Sequence, residues 1–214
     1  MLEANLRVPP DNLSPGRAAL DWGVAPLTHA EREQLAGHPG GVVWFTGLSG
    51  SGKTTLAQLL ERCLHAGGKR SFLLDGDVMR LGINHGLGFS RADREENLRR
   101  FTEVARLFAE AGVIALVSAI TPYEAARTAA RERIGSDRFV LVHVATPLSV
   151  CEQRDVKGLY KAARVGEIAD FTGISSPYEE PRDADIRLRV EDGDPPEKVE
   201  TIVRFLERRG FLSI

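Results

Sequence analysis

Residues 47–55 read GLSGSGKTT and carry the clearest chemical signature in the chain. They follow the pattern G-x-x-x-x-G-K-[ST], which is typical of a loop that holds nucleotide phosphates. Its glycines let backbone N–H groups turn toward phosphate oxygens, and the next helix adds its positive N-terminal dipole. We expect Lys53 to act in catalysis by neutralising phosphate charge, and Thr54 to bind Mg²⁺. The predicted nucleotide-binding residues of this loop are Gly47, Leu48, Ser49, Gly50, Ser51, Gly52, Lys53, Thr54 and Thr55.

Two carboxylates close the next apolar run, in the segment FLLDGDVMR. Ligands of open α/β sheets bind beyond the carboxyl ends of the strands, which is where Asp75 and Asp77 must fall. One carboxylate can orient Mg²⁺ or its waters, and the other can accept a proton from an attacking hydroxyl group. We expect Asp75 to be the base and Asp77 to lie toward the metal, although the spacing alone leaves both assignments open.

A third group of side chains follows in the segment GFSRADREENLRR and just before it. Arg94 and Asn97 are three residues apart and share one helix face, while Arg80 and Phe89 precede that helix. Two arginines, an amide and a loop aromatic suit an acceptor that has both anionic charge and a base to stack. The neighbouring arginines are expected to form surface ion pairs instead: Arg91, Arg99 and Arg100.

These side chains need a framework, and the chain alternates apolar strand-like runs with helical stretches. Strands are predicted at 42–46, 71–74, 113–118, 139–144 and 186–190. Helices are predicted near 53–66, 91–111, 123–134, 147–154 and 196–209. The alternation predicts an α/β fold of the P-loop NTPase type, with a five-stranded parallel sheet and helices on both faces.

The ends of the chain and one internal segment depart from that alternation. We expect residues 1–38 to be an N-terminal arm with a short helix, because Thr28 and Glu31 form a capping box and Gly37 a stop signal. Residues 39–214 are expected to form the kinase domain. Within it, residues 155–184 are long, polar and without a predicted strand, which is typical of a working lid.

Composition excludes several classes of protein. A net charge of -2 gives no overall attraction to nucleic acid, and no apolar run approaches the roughly 20 residues of a membrane span. The chain has only two cysteines, Cys63 and Cys151, and no segment like a signal peptide. We therefore expect a cytoplasmic protein with no nucleic-acid or membrane partner.

The motifs also separate kinases from other nucleotide-binding classes. A GTPase would need an Asn-Lys-x-Asp guanine-binding motif, which the sequence lacks. An ATP-driven motor usually has an apolar strand that ends in acidic residues, and the strand VIALVSA has none. ATP-dependent transfer to a small acceptor is the remaining prediction.

At these residues the sequence resembles the adenylyl-sulfate kinases, enzymes that phosphorylate the 3′-hydroxyl group of adenosine 5′-phosphosulfate. The resemblance covers residues 41–190 and lies in WFTGLSGSGKTT, in LLDGDVMRLGINHGLGFSRADREENLRR and in TPLSVCEQRDVKGLYKAARVGEIADFTGISSPYEEP. It implies a kinase that uses ATP and adenosine 5′-phosphosulfate with Mg²⁺ in sulfate assimilation. It also implies a homodimer, and a sulfurylase is a further candidate partner.

The resemblance also implies roles for individual residues. Phe171 would stack on the adenine of the phosphosulfate, Arg154 would lie against the adenine of ATP, and Lys157, Lys161 and Arg164 would form a basic lid. The substrate-binding residues implied in this way are Arg80, Phe89, Arg94, Asn97, Ile120, Lys161 and Phe171.

Four positions differ from the sequence that is usual in the family. Thr121 stands where the family has a serine that has been assigned as a phosphorylated intermediate. Val156 replaces a proline, and Asp170 replaces the glycine before the lid phenylalanine. In the segment DVMR, Val78 stands where the family usually has an asparagine, which removes an amide beside the acceptor site. Thr121 is therefore a catalytic candidate by position, but we expect direct transfer without it. Two alternatives remain open: a kinase for another hydroxyl-bearing metabolite, and a nucleotide-binding regulatory domain without turnover.

Overall fold

The structure, a computed structural model, describes residues 26–212 and contains a five-stranded parallel sheet in the order β2-β3-β1-β4-β5. Its strands are β1 (Gly41–Thr46), β2 (Ser71–Asp75), β3 (Ile114–Ser118), β4 (Phe139–Val144) and β5 (Ile186–Leu188). The predicted fold class is confirmed, and each predicted strand is present. β5 ends two residues early because the chain turns there: the Arg189 N–H donates to the Asp192 carboxylate at 2.6 Å.

Helices cover both faces of this sheet. They are α1 (His29–Ala36), α2 (Lys53–Ala66), α3 (Gly76–Leu81), α4 (Arg91–Glu110), α5 (Glu124–Ile134), α6 (Leu148–Arg154), α7 (Leu159–Arg164) and α8 (Pro195–Arg208). The sequence did not predict α3 and α7, because six residues are too few for an apolar repeat of 3.6 to show. In the part of the chain from 26 to 212, no helix is long and apolar enough to cross a membrane.

The central strand shows how the sheet divides the core. Val43 and Phe45 point to one face, where they pack with α2 and α8, and Val42 and Trp44 point to the other, where they pack with α4 and α5. All four side chains are fully buried. A strand buried on both faces has no polar side to show, which is why β1 reads as a continuous apolar run.

The parallel register places the carboxyl ends of the strands at one edge. Asp75, the last residue of β2, lies opposite Ser118, the last residue of β3. The glycine loop leaves the end of β1 between β3 and β4. The fold therefore brings the phosphate loop and the first carboxylate to the same edge, as the strand-end argument predicts.

The expected lid, residues 155–184, contains α7 and forms a small apolar cluster of its own. Tyr160 and Phe171 are buried in this cluster with Cys151, and Leu48 of the glycine loop packs against it. Gly173 has φ 91°, and a Cβ there would lie 3.0 Å from Leu48 Cδ2. A glycine is thus required both by its conformation and by the close approach of the lid to the glycine loop.

The N-terminus of α8 allows a test of the fold. Asp194 and Glu197 form a reciprocal capping box, with N···O distances of 3.0 and 2.8 Å. Asp194→Ala should lower the free energy of unfolding by about 1 kcal/mol, measured by urea denaturation. Glu200→Ala removes only the exposed ion pair with Arg204, so it should change the free energy of unfolding by less than about 0.5 kcal/mol. Equal losses in the two variants would contradict the capping role.

Candidate active site

The glycine loop shapes an anion site at the start of α2. Gly47 must lack a side chain, because a Cβ there would lie 2.6 Å from the Val144 carbonyl oxygen. Gly52 caps α2 in the left-handed conformation without a side-chain hydrogen bond, so the first N–H groups of α2 are left for a ligand. Lys53 begins the helix, and its Nζ donates to the Leu48 carbonyl oxygen at 2.7 Å. Backbone donors and one ammonium group therefore converge on the same space.

Lys53 is only 8% exposed, although it carries the charge of this site. The pKa of Lys53 is lowered to about 8, mainly by burial and also by the nearby Lys157, while Cys151, Asp75 and Asp77 act in the opposite direction. A buried ammonium group gains most from an anion placed beside it, since water does not screen the interaction. The electrostatics of this loop thus favour a bound phosphate.

Asp75 lies against the residue that is expected to bind Mg²⁺. Thr54 Oγ1 donates to Asp75 Oδ2 at 2.8 Å and lies 3.0 Å from Ser118 Oγ. The other Asp75 oxygen accepts the Asp77 N–H at 2.9 Å and so caps α3. This geometry favours Asp75 as the carboxylate nearer the metal position, the reverse of the assignment preferred from the sequence.

Asp77 faces the lid instead. Its carboxylate forms an ion pair with Lys157, and both side chains are more than half exposed. Asp77 is thus the carboxylate that faces the open space of the cavity.

On the other side of the site, two arginines hold the loop that carries Phe89. Arg80 donates to the carbonyl oxygens of Leu87 and Gly88 at 3.0 and 3.1 Å, and its guanidinium lies 4.2 Å from the centre of the Phe89 ring. Arg94 Nε donates to the Phe89 carbonyl oxygen at 2.8 Å. The Phe89 side chain itself is 56% exposed and therefore free to stack on a ligand.

Arg94 also connects α4 to the lid. Its Nη1 donates to Thr172 Oγ1 at 2.9 Å, and its Nη2 donates to the Asp170 carbonyl oxygen. These two residues flank Phe171, so one buried arginine positions both aromatic residues, Phe89 and Phe171. Asn97, one turn further along α4, is buried and accepts a hydrogen bond from Asn84 at 3.0 Å.

A single cavity of about 470 Å³ joins these groups. The predicted site residues that line it are Ser49, Gly50, Gly52, Lys53, Thr54, Thr55, Asp75, Asp77, Arg80, Phe89, Arg94, Asn97, Ile120, Thr121, Arg154 and Phe171. Arg154 lies at the glycine-loop end, where its Nη1 donates to the Gly50 carbonyl oxygen at 3.3 Å. The other predicted residues of the glycine loop do not line the cavity; they are Gly47, Leu48 and Ser51.

The structure places Lys161 outside the cavity. Its side chain is exposed on α7 and does not line the cavity, because α7 turns Tyr160 and Ala163 toward the lid cluster. Arg164 on the same helix is paired with Glu152 at 2.7 Å. Of the three basic residues expected in the lid, Lys157 is the one that reaches the cavity.

Thr121 occupies an unusual position in the backbone. Its φ is 45°, in the left-handed region that β-branched residues rarely adopt, and the residue is 1% exposed. Its Oγ1 accepts a hydrogen bond from Trp44 Nε1 at 2.8 Å, and its carbonyl oxygen accepts one from Arg127 at 2.9 Å. The hydroxyl group is thus bonded to the core, which is a poor arrangement for a nucleophile.

Sequence reasoning did not place several other lining residues in the site, among them Ser118, Lys157, Tyr160 and Thr172. Ser118 had a signal, since it is the last residue of the strand next to Asp75. Lys157 was noted only as part of a basic lid. Nothing in the spacing indicated Tyr160 or Thr172, whose positions depend on how the lid folds back.

A second, more open groove of about 730 Å³ lies beside β4 and β5. Its lining includes His143, Tyr178 and Arg187 but neither Lys53 nor the two carboxylates of the first cavity. Burial lowers the pKa of His143 to about 4, so this imidazole is neutral at pH 7. We assign no reaction to this groove.

The oxygen donors of the first cavity fit Mg²⁺. The Thr54 hydroxyl group lies within hydrogen-bond distance of both the Asp75 carboxylate and the Ser118 hydroxyl group. Within residues 26–212 there is no cluster of three His, Cys, Asp or Glu side chains that could hold a metal ion. Mg²⁺ needs no such cage, because it is usually bound by one or two protein groups together with substrate phosphates.

Comparisons with known proteins agree with this fold. The family described as adenylylsulphate kinase matches residues 39–189. An adenylyl-sulfate kinase of Shewanella amazonensis is 49% identical over 191 residues, which cover 89% of this chain and 96% of that relative. The Mycobacterium tuberculosis APS kinase in complex with AMPPNP and APS has a TM-score of 0.75 and 49% identity, covering 79% of this chain and 99% of that one.

A larger relative is also similar. A hexameric APS kinase from Thiobacillus denitrificans has a TM-score of 0.64 and 32% identity. The match covers 85% of this chain but only 31% of that one.

The pKa of Lys53 leads to a prediction about nucleotide binding. Phosphate favours the protonated amine, so ADP should bind best below pH 8, and its affinity should fall as the pH rises through 8 and the free protein loses this proton. Calorimetry at pH 8 in two buffers of different ionisation enthalpy should detect uptake of up to about 0.5 proton per ADP. Lys53→Arg, which stays charged, should show no such uptake. Equal uptake in both proteins would refute the assignment to Lys53.

Proposed function

This chain belongs to the adenylylsulphate kinase family, and we propose that it transfers the γ-phosphoryl group of ATP to the 3′-hydroxyl group of adenosine 5′-phosphosulfate. The products are 3′-phosphoadenosine 5′-phosphosulfate and ADP. The observation that carries the proposal is that one cavity is lined both by Lys53 and Thr54 and by Phe89 and Phe171. A donor site and an acceptor site must share one space for direct transfer.

The donor half of the cavity would hold ATP. The N–H groups of the glycine loop and Lys53 would bind its phosphates, and Arg154 would lie against its adenine. Mg²⁺ would be held by Thr54, with Asp75 beside it and in reach of its waters. When bound, the ion neutralises charge on the phosphate oxygens.

The acceptor half would hold the phosphosulfate. Phe89 and Phe171 are proposed to stack on its adenine, while Arg80, Arg94 and Asn97 contact its charged groups. Each arginine has N–H groups beyond those that it donates to backbone carbonyl oxygens, since a guanidinium carries five. Ile120 also lines the cavity, and its carbonyl oxygen accepts a hydrogen bond from Thr46 Oγ1 at 2.6 Å.

We propose direct in-line transfer, with Asp77 as the base. The acceptor 3′-oxygen would form a bond to the γ-phosphorus as the bond from that phosphorus to the β,γ-bridging oxygen breaks, and its proton would pass to Asp77. ADP then leaves with the bridging oxygen. Lys157, which pairs with Asp77 in the structure, would move to the phosphate charge and release the carboxylate. Positioning and charge stabilisation supply most of the acceleration in this chemistry.

Further proposals concern the setting of the enzyme. A place in sulfate assimilation follows from the reaction, and a cytoplasmic location is suggested by the free cysteines Cys63 and Cys151. We propose a homodimer, which a gel-filtration and light-scattering measurement would test; the hexameric relative supports assembly of some kind. A sulfurylase is a proposed partner because it would supply the phosphosulfate. Residues 1–38 are proposed as an arm, and 155–184 as the lid of the kinase domain.

A coupled ADP-release assay tests the function. ADP should appear rapidly only when ATP, Mg²⁺ and adenosine 5′-phosphosulfate are all present. Release with another hydroxyl-bearing metabolite but not with the phosphosulfate would indicate a kinase of different specificity. Nucleotide binding without release for any acceptor would indicate a regulatory domain.

Three variants separate the direct route from a covalent one. Asp75→Asn and Asp77→Asn should each lower turnover at least about a hundredfold, the scale of general-base and metal-orienting roles. Asp75→Asn should also raise the Mg²⁺ concentration needed for half-maximal rate, whereas Asp77→Asn should not. Thr121→Ala should retain substantial activity, because its hydroxyl group faces Trp44. A phosphothreonine formed from ATP alone and discharged to the acceptor at a competent rate would overturn this mechanism.

Arg80 allows a test of the acceptor half. Arg80→Ala should raise the apparent KM for the phosphosulfate by at least about thirtyfold and the KM for ATP by little, because loss of a charged partner costs roughly 2–5 kcal/mol. Arg91→Ala is the matched control, since Arg91 is exposed and paired with Glu95. Equal effects of Arg80→Ala on both substrates would contradict the assignment.

A further inference from the structure

The lid is attached to the glycine loop through Tyr160. The phenol Oη of Tyr160 donates to the Ser49 carbonyl oxygen at 2.9 Å, and Ser49 belongs to the loop that surrounds the proposed phosphate site. Leu48, the preceding residue, packs against the same apolar cluster as the Tyr160 ring. The lid and the glycine loop are thus joined by one hydrogen bond inside an apolar contact.

Tyr160 is held firmly in this position. The residue is 2% exposed, and its backbone N–H donates to Asp155 Oδ1 at 3.0 Å at the start of α7. Burial raises the pKa of the phenol, so the hydroxyl group stays protonated and remains a donor across the physiological range. A buried donor with one carbonyl acceptor has little freedom to move.

The same ring contacts Phe171. The two ring centres are 5.0 Å apart with an interplanar angle of 78°, an edge-to-face arrangement. On its other flank, Phe171 is bracketed by the Arg94 hydrogen bonds to Thr172 and Asp170. Phe171 is therefore located from two directions: from the acceptor helix by Arg94, and from the glycine loop by Tyr160.

We propose that Tyr160 is a positioning residue for the transfer reaction, one that sets Phe171 at a fixed place relative to the phosphate loop. The proposal rests on the function proposed above, because it takes Phe171 as a contact of the acceptor. In-line transfer needs the attacking oxygen within about 3–3.5 Å of the phosphorus atom. The path Ser49–Tyr160–Phe171 links the donor loop to the acceptor contact through one hydrogen bond and one ring contact.

Tyr160→Phe is the decisive variant, because it keeps the ring contact with Phe171 and removes only the hydroxyl group, which bonds to the Ser49 carbonyl oxygen and also contacts Cys151. It should lower kcat/KM for the phosphosulfate about fivefold, the scale of one buried hydrogen bond. The Kd for ADP should change less than about twofold, since the Ser49 carbonyl oxygen accepts from the lid and makes no bond to phosphate. If Tyr160 served only the stability of the fold, Tyr160→Phe would lower the melting temperature without reducing kcat/KM for the phosphosulfate more than the affinity for ADP.

A double-mutant cycle tests the link to Phe171. Phe171→Leu alone should weaken the reaction with the phosphosulfate, and Tyr160→Phe added to it should cost less than about twofold more. Full additivity of the two losses would overturn the proposal. So would an equal loss of ADP affinity in Tyr160→Phe, because Tyr160 would then serve the donor loop itself.

Hydrogen exchange gives a readout that does not depend on the acceptor. In the ADP-bound protein, the amides of residues 171–176 should exchange faster in Tyr160→Phe than in the wild type, while the exchange rates of the β1 amides should not change. Unchanged exchange at 171–176 would reject the proposal even if the wild-type protein proved inactive on the phosphosulfate. If the wild type were inactive on the phosphosulfate but the two proteins still differed in exchange at 171–176 as expected, only the proposed function would be rejected.

Discussion

The hydrogen bonds of the Thr54 hydroxyl group are the interaction on which the rest of the site depends. Through Asp75 and Ser118 they tie the first turn of α2 to the ends of β2 and β3. Asp75 in turn caps α3, from which Asp77 and Arg80 extend. One small polar cluster at the edge of the sheet therefore sets the position of the phosphate loop, of both carboxylates and of Arg80, which we propose as a contact of the acceptor.

The lid is built differently from the remainder of the domain. It has no strand of its own to pair with the sheet, and its order comes from an apolar cluster around Tyr160 and from the hydrogen bonds of Arg94. Arg94 is buried, and several of its N–H groups donate hydrogen bonds to backbone and side-chain oxygens of the lid and of the Phe89 loop. The residue thus stabilises the shape of the acceptor half in addition to the charge that it offers a ligand.

The residues that differ from the usual family sequence have different physical consequences. Thr121 and Asp170 both adopt positive φ, 45° and 54°. Asp tolerates positive φ better than a β-branched residue does. The backbone strain at Asp170 is therefore smaller than the strain at Thr121. Thr121 is kept in place by Trp44 and Arg127, whose hydrogen bonds hold its hydroxyl group and its carbonyl oxygen. Val156 is largely exposed, and nothing in the structure explains its replacement of proline.

The sequence by itself determined the fold class, the phosphate loop, the helix cap at Thr28 and the strand-end position of Asp75, because all of these depend on local pattern. Only the tertiary structure decided which carboxylate lies beside Thr54, since residues two apart can each reach the same space from a strand end. It also decided that Lys157 rather than Lys161 reaches the cavity. The lid helix α7 is too short to show its buried face in the sequence, and that face is set by packing against Leu48, a residue more than a hundred positions away along the chain.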